Sequence, residues 1–355
     1  MPFFESKRPG KCILFFKFIQ KKGYGMPPSG KSLFWQKVTI VERKRMRKLA
    51  LSDEILMKVD KAARYIGGEV NSVMKDKNAV DIRFAMCFPD VYEIGMSNLG
   101  MMILYNMFNQ REDVWCERLF SPWPDLDKVM REEKIPLFAL ESQEPIRDFD
   151  FLGITIGYEM CYTNILQVLD LSGIPLKSAD RGEDFPIVIG GGACAYNPEP
   201  LAPFFDMFYI GEGETVYDAL FDAYKANKKA GGSRKDFLLA AAKIPGIYVP
   251  SLYEVTYKED GTIASFAPTA DGVPEKVQKQ LIIDMEKEYR AVEAPVVPHI
   301  KATQDRVTLE IQRGCIRGCR FCQAGMIYRP TRERDVETLK ESARIMLKNT
   351  GHEEI

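Results

Sequence analysis

Apolar positions change spacing several times along the chain, and each change predicts an element. Over residues 52–66 they recur at helical intervals, with Ile55, Leu56, Val59, Ala62, Ala63 and Ile66 on one side. Gly67 and Gly68 predict the stop of that helix. Strands are predicted at 81–87, 114–120, 150–156, 186–189 and 206–210, and helices at 97–108, 125–133, 161–171 and 215–225. Strand, helix, strand with short loops implies parallel strands covered on both faces. The fold class is therefore α/β, a doubly wound parallel sheet, at about residues 70–230.

The pattern changes after residue 245. Short strands are expected at 247–249, 254–258 and 262–266, the last two joined around Asp260 and Gly261 as a hairpin. Residues 293–301 carry two prolines and little periodicity, and read as a linker. Val307, Leu309 and Ile311 then alternate with Thr308, Glu310 and Gln312, predicting a strand. A loop with three cysteines follows. A helix over 336–348 has Val336, Leu339, Ala343, Met346 and Leu347 on one face, Asp335 as N-cap and Gly351 just past its end. This strand, loop and helix read as the opening of a β/α barrel, and the remaining barrel strands are expected beyond Ile355. The expected division is a basic segment at 1–45, the α/β domain at 46–230, a connector with short strands at 231–300, and the barrel start at 301–355.

Composition narrows the function classes. Apolar residues make up 46% and charged residues 28% of 355, with a net charge of −1, so nothing global points to nucleic acid or a membrane. Charge is uneven, because residues 1–48 hold 13 Lys and Arg against 2 Asp and Glu. A polybasic tail is one reading of this segment. The other is that Met46 is the native start, since amphipathic patterning begins only near Leu51. No secretory signal or membrane-spanning run is expected. Cys12, Cys87, Cys116, Cys161 and Cys194 are scattered, mostly in apolar runs, and read as buried thiols in a reducing cytosol.

The remaining cysteines carry the chemistry. Cys315, Cys319 and Cys322 stand at C-x3-C-x2-C spacing, with Gly314 and Gly318 available for tight turns and Arg313, Arg317 and Arg320 available to offset negative charge. Three thiolates can each take one iron of a cubane and leave the fourth iron open. An electron-transfer ferredoxin site uses four cysteines per cluster. Zinc, with His352 or a distant cysteine as fourth ligand, is an alternative, as are three ordinary core cysteines.

This motif, with Phe321 before its third cysteine, resembles that of the radical S-adenosylmethionine (SAM) superfamily. The resemblance implies a 4Fe-4S cluster on the three cysteines and SAM bound at the open iron. It further implies a one-electron cleavage to methionine and a 5′-deoxyadenosyl radical, with Phe321 near the adenine and flavodoxin or ferredoxin as electron donor. Two upstream segments add to it. One is the Pro-Ile-Val-Ile-Gly-Gly-Gly-Ala-Cys-Ala-Tyr stretch from Pro186 with the Ile-Gly-Glu-Gly-Glu run ending at Glu214. The other is the Phe-Pro-Asp-Val-Tyr-Glu-Ile-Gly stretch from Phe88. Together they resemble the cobalamin-binding-type domain that precedes many radical SAM barrels, and specifically an uncharacterised family with this arrangement. Gly95, Gly100, Gly190, Gly191 and Gly192 are the pocket residues this implies, and a cobalamin-dependent methyl transfer is one implied chemistry. One departure stands out: His299 and His352 are the only histidines, and neither lies in the domain to serve cobalt from below. Asp90, Glu93 and Glu159 near strand ends read first as solvated or capping acids, with acid/base roles the alternative. With later barrel strands expected elsewhere, this chain alone is expected to turn over SAM poorly. The substrate is not legible. The rival reading is a non-catalytic zinc or iron–sulfur module whose α/β domain is an interaction platform.

Overall fold

The structure, a computed structural model, describes residues 48–355. The basic segment at 1–45, with Cys12, lies outside the described residues. One sheet organises the chain, with β1 (Ile82–Phe88), β2 (Val114–Phe120), β3 (Phe151–Thr155), β4 (Ile187–Gly191), β5 (Met207–Tyr209) and β6 (Ile247–Tyr248) in the order β2-β1-β3-β4-β5-β6. The first five strands are parallel, as their sequence implied. β6 runs antiparallel along β5 through the pairs Phe208↔Tyr248 and Tyr209↔Ile247, so the 247–249 strand joins this sheet.

Alternation of side chains across the pleat builds two cores. Ile82, Phe84 and Met86 of β1 face one core, with α1 (Leu99–Gln110), α4 (Tyr217–Lys229) and α5 (Arg234–Ala241) packed over it. Ala85 and Cys87 face the other, with α2 (Pro124–Glu133) and α3 (Tyr162–Leu171). Burial on both faces explains why β1 and β2 are inaccessible along all seven residues. Helix starts follow local chemistry. Asn98 accepts a hydrogen bond from the Met101 N–H, Pro124 opens α2, and Ser233 and Asp236 form a reciprocal capping box at α5. The α5 helix was not foreseen, although the Ser233-x-x-Asp236 spacing is its start signal.

Two expectations hold only in part. The helix expected over 52–66 reduces to Asp53–Leu56 and a 3-10 turn at Ala62–Arg64. Between them the Asp60 N–H donates to Asp125 Oδ2 at 2.8 Å, at the start of α2, while Lys61 and Arg64 reach Glu93. Leu51, Ile55 and Val59 still enter the second core, so the apolar pattern gave the buried side and tertiary bonds set the backbone. The strand expected over 307–312 forms only at its end: residues 307–311 have no strand assignment, the Val307 N–H donates to the Glu354 carbonyl, and the Arg334 N–H donates to the Ile311 carbonyl. Pairing begins later, where β9 (Gln312–Arg313) runs antiparallel to β10 (Arg332–Glu333).

The hairpin of β7 (Tyr253–Tyr257) and β8 (Ile263–Pro268) forms as expected. So does α6 (Val336–Thr350), with the Asp335 carboxylate accepting two backbone N–H bonds and Gly351 left-handed at its end. Residues 293–301 have no regular structure but are packed, with Val296 buried and Val297 bridging Val70. No helix among the described residues is long and apolar enough to cross a membrane.

Candidate functional site

Strand order reverses between β1 and β3, since β2 lies on one side of β1 and β3 on the other. Crossover loops leave such a point in opposite directions and open a crevice at the carboxyl ends of the strands. A cavity of about 480 Å³ lies there, a volume typical of small-molecule sites. Phe84, Gly153 and Ile189 line it from the strands, and Asn98, Gly100 and Leu104 from the start of α1. Gly191 and Gly192 border it from the loop after β4. Gly192 has φ of +100°, and a Cβ there would stand 2.9 Å from the Ile156 carbonyl oxygen, so only glycine fits this turn without strain.

Glu212, Glu214, Glu310 and Arg313 also line the cavity. Arg313 bonds Glu310 at 2.8 and 3.0 Å and Glu214 at 2.6 Å, and stands 3.2 Å from Glu212. Arg332 forks onto both oxygens of Glu212 at 2.7 and 2.8 Å. Burial works against the Glu212 carboxylate, but Arg332, the Ile282 N–H and Arg313 together hold its pKa below the usual range. Arg313 was expected to offset thiolate charge; its guanidinium is instead committed to the three glutamates. Tyr289 lies beneath it, 5.5 Å from ring centroid to guanidinium, and burial pushes that phenol up to about 12.

The cysteine loop runs from this charged rim. Gly314 is left-handed, with φ of +89°, and a Cβ there would stand 2.3 Å from the Pro330 carbonyl oxygen. The following segment carries Cys315 and Cys322, both partly exposed, and Cys319, exposed. The Gly325 N–H donates to Cys322 Sγ at 3.4 Å. Lys279 donates to the carbonyls of Ile327 and Arg329, and the Ala324–Ile327 helical turn packs against the 193–196 turn after β4. Among the described residues, no three His, Cys, Asp or Glu side chains are gathered closely enough to hold a metal ion. The donor set nevertheless suits an iron–sulfur cluster in kind: three solvent-reachable thiols on eight residues of irregular backbone, with a backbone N–H already directed at one sulfur.

The other sequence-predicted residues fall in different places. Gly100, Gly191 and Gly192 line the cavity. Gly95 and Gly190 are packing positions, where a Cβ would meet the Phe120 ring at 2.2 Å and the Phe208 ring at 2.7 Å. Phe321 is 92% exposed. Asp90 accepts from the Tyr158 hydroxyl at 2.6 Å, Glu93 is tied to Lys61 and Arg64, and Glu159 is exposed. His299 contacts the Gly67 carbonyl, and neither histidine lines the cavity. Sequence reasoning missed the pairing of Glu212 and Glu214 with arginines about 100 residues away. The Gly-Glu-Gly-Glu run was the only local signal.

A mainly parallel open sheet with a cavity at the carboxyl ends of its strands, beside a three-thiol loop, defines an α/β protein with a candidate ligand site. Residues 100–250 match the family model for the N-terminal region of radical SAM proteins. The chain is 26% identical over 256 residues to an uncharacterized protein of Methanocaldococcus jannaschii, a match covering 72% of this chain and 44% of that protein. It is also similar to the radical SAM methyltransferase TsrM from Kitasatospora setae, solved with tryptophan substrate and the SAM analogue aza-SAM. That similarity has 14% identity and a TM-score of 0.36, and covers 73% of this chain and 44% of TsrM. The chain thus spans less than half the length of these relatives. Over residues 100–250 the chain is thus similar to the N-terminal region of radical SAM proteins.

Proposed function

We propose that this chain is part of a radical SAM enzyme in which Cys315, Cys319 and Cys322 hold a 4Fe-4S cluster and SAM binds at the iron they leave free. The observation that carries this reading is the set of three accessible thiols on one loop beside the switch-point cavity. When bound, such a cluster would supply the electron for reductive cleavage of SAM. The chain's own residues orient and enclose. Gly314 turns the loop, the Gly325 N–H stabilises negative charge on Cys322, and Phe321 is free to pack on adenine. The cavity, apolar along the sheet and charged at its rim, receives the substrate or a second cofactor. The substrate is of unknown identity, and an external flavodoxin or ferredoxin supplies electrons.

Cobalamin is the second cofactor the α/β domain favours, and it would supply a methyl carrier. The glycine-bordered cavity at the strand ends suits the insertion of part of such a ligand. Its lining offers no histidine, so cobalt would be bound without one. The test is anaerobic reconstitution of the whole chain with iron and sulfide. About four iron and four sulfide per chain are expected, with an electron paramagnetic resonance (EPR) signal that changes on adding SAM. Single replacement of Cys315, Cys319 or Cys322 by Ala should abolish that cluster. A colourless protein holding one tight zinc would refute the proposal in favour of a zinc module.

A further inference from the structure

The stem of the cysteine loop poses an electrostatic problem. In the β9–β10 ladder Arg332 stands directly opposite Arg313. Like charges facing each other across a strand pair are destabilising, so this stem closes only if anions stand between the two guanidinium groups. Both arginine side chains are largely buried, at 10% and 6% exposure, which removes water as the screening agent.

Only one carboxylate among the described residues contacts both. Glu212 forks onto Arg332 and stands 3.2 Å from Arg313, whereas Glu214 and Glu310 contact Arg313 alone. Glu212 comes from the loop after β5, and its own backbone is fixed. Its N–H donates to the Gln280 carbonyl, its carbonyl accepts from Tyr209 and Thr215, and its carboxylate also accepts from the Ile282 N–H. Arg332 in turn donates to the carbonyls of Tyr328 and Pro330, inside the loop. Charge-assisted forked pairs are the stronger, geometrically specific kind of hydrogen bond.

We propose that Glu212 is a positioning residue for the cysteine loop: one carboxylate from the α/β domain is the shared counter-ion that closes the 312–333 stem and fixes the loop against the cavity rim. Its consequence for a cluster rests on the proposed function, while its effect on the loop does not. The same carboxylate lines the cavity, so one side chain touches both the ligand space and the stem of the loop.

The test compares wild type with Glu212→Gln and Glu212→Asp in the full chain. Hydrogen exchange of the cluster-free protein should be about tenfold faster over 312–333 in Glu212→Gln, with β1–β4 amides unchanged and Glu212→Asp close to wild type. After anaerobic reconstitution, Glu212→Gln should retain less iron and lose the SAM-dependent change in the EPR signal. Wild-type exchange over 312–333 in Glu212→Gln would overturn the proposal. Faster exchange across the whole sheet would overturn it equally, by making Glu212 a general stabiliser. A wild-type chain that takes up no cluster refutes the proposed function alone, and the exchange comparison still decides the role of Glu212.

Discussion

Replacing Arg118 by Met tests how the edge of the sheet is held. Arg118 on β2 has a fully buried side chain that bonds Glu69 at 2.7 Å and Glu141 at 2.6 Å, both also at 0% exposure. Tyr92 and Tyr105 donate to the same two carboxylates at 3.0 and 2.9 Å. Methionine keeps much of the bulk and removes every donor. Breaking a buried ion pair by deleting one partner costs about 3–5 kcal/mol, because the surviving charge stays desolvated. Against a total stability of about 5–15 kcal/mol, that is a large fraction. With a urea slope of roughly 1–3 kcal/mol/M, the midpoint should fall by about 1 M or more, followed by circular dichroism.

The pH dependence sharpens this test. Burial alone would raise the Glu69 carboxyl, but Arg118 outweighs it and holds the pKa below its ordinary value of 4.5. In wild type that depressed pKa contributes stability present above the ordinary value and lost as pH falls through the folded one. Without Arg118, burial dominates and the carboxyl takes up a proton on folding. The destabilisation of Arg118→Met should therefore shrink as pH falls from 7 toward 5. A loss below about 1 kcal/mol at pH 7, or one independent of pH, would refute the reasoning.

Two further outcomes follow from the same geometry. Gly190→Ala drives a Cβ to 2.7 Å from the Phe208 ring and 2.9 Å from Ile156, and should cost about 1–3 kcal/mol in thermal unfolding, whereas Gly191→Ala, with nothing within 4 Å, should cost less than about 1 kcal/mol. Burial opposes ionisation of Glu93, yet Arg64 and Lys61 bring its carboxyl down to about 2, so its contribution is lost as pH falls from about 4.5 toward 2; Glu93→Gln should flatten the urea midpoint against pH in that window.

Sequence pattern and structure agree best where burial is two-sided. The runs that became β1 to β5 are apolar because helices cover both faces of the sheet, and that constraint is written locally. The spacing of the three cysteines within one loop is likewise a sequence property, and their joint role is part of the proposed function. Residues 52–66 and 307–311 misled for one reason: apolar periodicity reports which side is buried, and the backbone then follows whichever partners it finds. Asp60 found the start of α2, and Val307 found Glu354 in place of a strand.

The sequence by itself determined the parallel α/β class and the order of β1 to β5 and α1 to α4, because pattern and spacing are local. Tertiary structure alone decided which segments from β1, β3, β4 and β5 border the cavity, that Gly95 and Gly190 pack against rings, and that Arg313 meets Glu212 and Glu214. Those facts depend on which distant segments are neighbours. A charge or a glycine carries no mark of its partner until the chain has closed around it.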